Sequence, residues 1–180
     1  MKAVILSILI VSTVCVSGTL APVRAEHEYQ VKATYLYHFA RFIRWPASAF
    51  PHERSPLNIC VVGENPFGEA LDELAQCEVR KHPIAVKVLT RIDQRADCHM
   101  LFFSEEVLDS LSEPLDRLDD GAILTLADDA DFVRSGGMIQ FVTAKDRINF
   151  IVNLDAARNE CIQIDSQLLS LAAQVIEGGL

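Results

Sequence analysis

The chain has little of what marks most enzymes and membrane proteins in sequence. Beyond residue 16 no apolar run approaches the roughly 20 residues that a membrane-spanning helix needs, so no span is expected there. There is no C-x-x-C, no Cys/His ligand spacing and no histidine pair at helical ligand spacing, which leaves zinc and thioredoxin-like chemistry without support. His27, His38, His52, His82 and His99 are scattered, and the nucleophile-elbow pattern G-x-S-x-G is missing. Only a dispersed triad would escape that search. Basic residues are scarce, with 16 Lys and Arg against 25 Asp and Glu. That balance argues against nucleic acid or an anionic membrane surface as partner, since both need a basic footprint. No internal repeat, linker or low-complexity tract interrupts the chain.

Two local patterns resemble ligand loops and lack the chemistry for them. Gly63-Glu64-Asn65-Pro66-Phe67-Gly68 follows a strand-like run and opens a helix, and its glycines have phosphate-loop spacing. A phosphate loop needs Lys and a hydroxyl residue after the second glycine; here Glu69 and Ala70 follow, and Glu64 adds repulsion. Asp128, Asp129 and Asp131 lack the alternating oxygen ligands and closing glutamate of a calcium loop. Helix capping explains them better. No cofactor and no metal site is expected.

What is present begins with residues 1–25, which read as a cleavable export signal. Lys2 supplies the positive start, Ala3 to Val16 is mostly apolar, and Val23-Arg24-Ala25 places small residues where cleavage is decided. Cys15 follows Val14 rather than a small residue, so a lipoprotein leader is disfavoured. Removing the leader takes Lys2 and Arg24 and no acid, which moves the formal charge from -9 to -11. Residues 26–180 then form one domain of ordinary size.

Tyr29 to Pro46 (YQVKATYLYHFARFIRWP) is the most informative stretch. Val31, Tyr35, Leu36, Phe39, Phe42 and Ile43 fall on one helical face, and Gln30, Thr34, Tyr37, Arg41 and Arg44 on the other. Pro46 biases Trp45 out of helical geometry, so the helix should end there. Its apolar stripe reads as core. Tyr37, Arg41, Arg44 and Trp45 read either as a solvated face or as a partner-binding surface, aromatics and Arg being the enriched anchors of interfaces.

Further on, strands are expected at Leu57 to Val62, Val79 to Leu89, Met100 to Phe103 and Ala122 to Leu126. A hairpin is expected over Met138 to Thr143 and Arg147 to Leu154. Helices are expected at Phe67 to Ala75, Glu105 to Leu118 and from Asp165 or Ser166 to about Ile176, with a brief turn at Asp128 to Val133. Interleaved strands and helices make this an α/β chain: one compact domain, a mixed sheet of about six strands flanked by helices, a C-terminal hairpin and a final helix. Cys60 and Cys98 lie in strands that could be neighbours, which makes them the best disulfide pair in an oxidising compartment. Cys77 and Cys161 could pair or stay free.

The ordered set F-A-R-F-I-R-W-P (Phe39 to Pro46), L-N-I-C-V-V-G-E-N-P-F-G (Leu57 to Gly68), C-H-M-L-F-F-S (Cys98 to Ser104), G-G-M-I-Q-F-V (Gly136 to Val142) and F-I-V-N-L-D-A-A-R (Phe150 to Arg158) resembles the YfiR family over nearly the whole mature chain. The resemblance implies a periplasmic α/β protein without known catalysis. It implies a repressor that binds the periplasmic sensor domain of a membrane-bound diguanylate cyclase, or a histidine kinase in some relatives. It also implies a disulfide at the positions of Cys60 and Cys98. A second disulfide of the best-studied relatives would lie around Asp128 to Gln140, where this chain has no cysteine. A competing partner linked to the outer membrane and a second copy of the chain stay open as further partners. The alternative is an exported small-ligand binder or hydrolase using the Gly63–Gly68 loop, at the strand ends where open α/β sheets place their sites.

Cell fractionation with N-terminal sequencing should find a mature chain that begins at Glu26 and does not partition with membranes. A chain that starts at Cys15 and follows the membranes would make the protein a lipoprotein instead.

Overall fold

The computed structural model describes residues 21–110, 121–144 and 147–178. Helix α1 covers Ala21–Phe42, and the two residues after it form β1, Ile43–Arg44. The helix therefore stops earlier than the Trp45-Pro46 pair suggests. Ile43 and Arg44 instead pair antiparallel with Ile164 and Gln163, and that ladder captures the backbone before proline would have ended the helix.

Strand β2, Leu57–Val62, is buried at every residue, as expected of a strand covered on both faces. A short α2, Ala70–Leu74, follows; the expected Phe67 start is lost because Phe67 donates its amide to Asn65 Oδ1 in a local turn. The expected Val79 to Leu89 strand is two strands, β3 (Glu78–Val79) and β4 (His82–Leu89), paired antiparallel. Arg80 and Lys81 between them have φ of 51° and 74°. Two consecutive left-handed residues make the tight hairpin turn that usually selects Asn-Gly, so neither residue type announced it.

Strand β5, Met100–Phe103, leads into α3, Glu105–Ser110; the rest of the helix expected to Leu118 lies outside the described residues. Strand β6 is Leu124–Ala127, and β7 (Ile139–Ala144) forms an antiparallel pair with β8 (Arg147–Asn153). Asn153 closes β8 and caps α4, Leu154–Asn159, by accepting the Ala156 amide. Strand β9, Gln163–Ile164, is the partner of β1. Helix α5, Ser166–Leu171, is capped by Asp165, whose side chain accepts the Gln167 amide. It does not run on to Ile176. Ala173 donates to the Phe150 carbonyl, and Gln174–Ile176 becomes β10, parallel to β8. The open backbone edge of β8 thus outcompetes continuation of the helix.

The result is one mixed sheet of eight strands in the order β10-β8-β7-β6-β5-β2-β4-β3, with the β1–β9 pair beside it. Strands β4, β2, β5, β6 and β7 run parallel. Two strands more than expected come from the short edge segments β3 and β10. Alternate residues of β2 divide between two cores. Leu57, Ile59 and Val61 join the cluster under α1, and Cys60 and Val62 join the one on the opposite side. Under α1, Phe39 is fully buried, with its ring centroid 5.1 Å from Phe150 and 5.8 Å from Phe141. Tyr35 extends that cluster and donates its hydroxyl to the Ile148 carbonyl.

On the opposite side Cys60 and Cys98 are bonded, with Cα atoms 5.9 Å apart. The bridge follows from β2 and β5 being parallel neighbours, with Cys60 opposite Leu101. Cys77, half-buried, and Cys161, exposed, are both free thiols.

Phe39→Ala should cost about 3–5 kcal/mol in urea denaturation, the usual range for removing a fully buried phenyl. Cys98→Ser should cost up to about 4 kcal/mol through the loop it reopens. A change below about 1 kcal/mol in either would mean that α1 or the β2–β5 junction is not set as described.

Candidate functional site

The end of α1 is built by an arginine from another hairpin. Helix carbonyls at a C-terminus lack intrahelical donors; here the Asp165 amide meets Phe42, and the Arg80 guanidinium donates to the carbonyls of Arg41 at 2.7 Å and, just past the helix, Ile43 at 3.3 Å. A cation there also complements the helix dipole. The left-handed Arg80-Lys81 turn brings that guanidinium into reach. Arg41 itself is exposed and lies 5.8 Å from the Tyr37 ring. Arg44 is 61 % exposed and meets Asp165 at 3.5 Å, a distance and exposure at which an ion pair contributes little. Arg41, Arg44 and Arg80 thus bring positive charge to one corner of an acidic chain, while Lys81 turns to Glu53 at 3.6 Å.

Of the four residues read as a partner surface, Arg41 and Arg44 are exposed, Tyr37 is half-buried against the core beside Arg41, and Trp45 turns inward. Trp45 is half-buried, and its Nε1 donates to the His99 carbonyl at 3.1 Å. Arg80 and Lys81 escaped the sequence reading because they are remote in the chain.

The Gly63–Gly68 loop lies where open α/β sheets keep ligand sites, at the C-terminal ends of β2, β5 and β6. A cavity of about 1000 Å³ opens there. Its walls carry Glu26, Glu64, Glu69, Glu73, Glu105, Glu106, Asp128 and Asp129, so it repels phosphate and other anions. The Gly63 conformation, φ 92°, serves packing: a Cβ at Gly63 would lie 2.0 Å from Ser104 Oγ. Among the described residues no group of three His, Cys, Asp or Glu side chains is arranged to hold a metal ion.

Beside the cavity, α1 buries a lysine. Lys32 is 2 % exposed, and its Nζ lies 2.6 Å from Glu28 Oε1 and 2.7 Å from Asp128 Oδ2. Tyr29 Oη donates to the same Asp128 oxygen at 2.7 Å, and its ring lies 4.4 Å from the ammonium. Burial first, then the Asp128 carboxylate, raises the Tyr29 phenol well above its ordinary pKa of 10. Glu28 also accepts from the Thr143 hydroxyl at the end of β7. Together these bonds tie the middle turns of α1 to the residue after β6 and to β7. Lys32 sits four residues before the buried Leu36, in register with the apolar stripe, and that spacing was its signal in sequence.

Removing one partner of a buried ion pair leaves the other charge uncompensated. Asp128→Ala should therefore cost about 3 kcal/mol in urea denaturation, whereas Asp129→Ala, exposed nearby and losing only its bond to the Asp131 amide, should cost about 1 kcal/mol or less. Equal effects would mean that Lys32 does not depend on Asp128.

No helix among the described residues is long and apolar enough to cross a membrane. None of the curated proteins matches the chain. A family model described as YfiR/HmsC-like matches residues 29–173, from the start of the buried lysine cluster on α1 to the turn before β10. With nearly the whole domain covered and the disulfide-bearing β2–β5 core inside the match, the chain belongs to the YfiR/HmsC-like family.

Proposed function

We propose that the protein is an exported inhibitory binding protein of the periplasm. It docks on the outer sensor domain of an inner-membrane signalling protein, a diguanylate cyclase, and holds its cyclic-di-GMP output down. Family membership supports the regulatory reading. The observation that carries the docking site is the arginine corner: Arg41 and Arg44 exposed beside Tyr37, with Arg80 fixed underneath by the helix carbonyls.

Such a corner suits an acidic partner surface, because complementary charge speeds encounter and fixes orientation. Repression then requires only that the protein bind one state of the sensor more tightly than the other; equal affinity would shift nothing. A stress signal or a competing partner linked to the outer membrane relieves repression by removing the free protein.

A second reading keeps one observation in its favour. The Gly63–Gly68 loop borders a cavity large enough for a small molecule, and an exported ligand binder or hydrolase would use it. The acidic walls confine that reading to cationic ligands.

The double variant Arg41→Glu/Arg44→Glu separates the two. Both side chains are exposed, so stability should change by no more than about 1 kcal/mol. At normal protein levels the variant should fail to retain its membrane partner in a pull-down, and cyclic-di-GMP should rise to the level of a deletion strain. Unaltered repression would show that this corner is only solvated and would remove it as the interface.

A further inference from the structure

The connection from Pro46 to Pro56 crosses the end of the sheet opposite the acidic cavity, and one phenyl ring pins it. Phe50 stacks on His82 of β4 with centroids 4.0 Å apart and planes at 22°, and on His99 with centroids 4.4 Å apart and planes at 21°. Two imidazoles stacked so closely on one phenyl must occupy its opposite faces. Each histidine also holds the backbone of the same segment. His82 Nδ1–H donates to the Ser55 carbonyl at 2.7 Å, and His99 Nε2–H donates to the Ala49 carbonyl at 3.0 Å.

The two rings differ in what a further proton would do. His99 Nδ1 accepts the backbone N–H of Asn58 at 3.1 Å. A backbone N–H can only donate, so this arrangement requires a neutral His99 ring with a lone pair on Nδ1. The residue is 5 % exposed, and its carbonyl is held by Trp45 Nε1 and the Leu124 amide. His82 uses Nδ1 as a donor, a role it keeps when protonated.

We propose that Pro46–Pro56 is an acid-released strap, closed at neutral pH by the neutral His99 ring and opened when His99 is protonated. A proton on Nδ1 would point at the Asn58 N–H, donor against donor, and would place a cation in a buried site. The ring relieves both by swinging out, which breaks its bond to Ala49 and its stack on Phe50. The charged groups facing it are His82 and Lys87 from β4, which oppose the added charge, and Asp97 from the turn before β5, which favours it. The strap's own His52, Glu53 and Arg54 are exposed.

Burial is the largest influence on His99 and holds its pKa below the ordinary 6.5. The sign follows from linkage: the open form binds the proton more tightly than the closed one, so closure is complete above 6.5 and weakens as pH falls through the lowered value. The proposal does not depend on the docking reading.

Hydrogen exchange of the mature chain, followed from about pH 8 to about pH 4, tests the strap at the amides of Phe50, Ser55 and Asn58. Their protection should fall by up to about tenfold per pH unit in a window below 6.5, while that of Val61 in β2 is retained. Trp45, the chain's one tryptophan, stands edge-on 6.2 Å from the His99 ring, and its emission should change over the same window. His82→Gln should keep the transition, and His99→Gln should lose it. If His99→Gln does not fold, the imidazole proton resonance of His99 in the unaltered protein takes its place and must titrate with the same midpoint. Constant protection of the strap would overturn the proposal, as would a midpoint at or above 6.5, persistence in His99→Gln, or loss of Val61 protection in step with the strap.

Discussion

The seating of α1 on the sheet is the constraint on which the rest depends. Phe39 stands nearly perpendicular to Phe150, at 72°, with Phe141 and Tyr35 closing around it. Aromatic rings in this arrangement gain a specific geometry beyond the area they bury. They fix the rotation of the helix about its axis. Once that rotation is set, Lys32 must face Asp128, and Arg41 must face away from the core. One packing event thus decides which charges are hidden and which are offered.

The middle and the end of α1 are held by different physics. In the middle a buried ammonium meets two part-exposed carboxylates and the face of a phenol ring, and it tolerates burial because it is paired. At the end the Phe42 carbonyl is met by the Asp165 amide, and the carbonyls of Arg41 and Ile43 by a guanidinium that arrives from a neighbouring hairpin. The charge pattern of the surface follows from these solutions. Acids accumulate around the cavity at the strand ends, and arginines gather at the other end of the helix, although the chain as a whole is strongly acidic. The net charge alone hides that separation.

Much of the central architecture was legible in the residues. The run Leu57 to Val62, apolar except for Asn58, read as a buried strand, and Met100 to Phe103 as another; their adjacency made Cys60 and Cys98 partners. The stripe through Leu36, Phe39 and Ile43 identified the buried side of α1. What was not legible depended on tertiary competition. The last residues after Leu171 carry no strand pattern long enough to read, and they become β10 only because β8 offers an open edge. Asn153 looks like the end of a strand, and its side chain makes it the start of a helix as well. Of the candidate surface, the exposure of Arg41 was readable from helical spacing, whereas Arg44 is exposed through the alternation of β1 and Tyr37 is half-buried against the core. The inward turn of Trp45 was not readable, because it depends on a carbonyl 54 residues away. Arg80 was invisible for the same reason.

The hairpin that carries Arg80 has a consequence for how the surface comes to exist. Left-handed backbone costs an L-residue with a Cβ on the order of 1–2 kcal/mol, and here two long basic side chains adopt it in succession. An Asn-Gly pair would form this turn more comfortably and would remove the guanidinium from the carbonyls of Arg41 and Ile43. Local discomfort in the hairpin is therefore exchanged for closure of the helix. The backbone of the positive corner is thus set in the same step that closes the helix, and the exposed arginines only have to project from it.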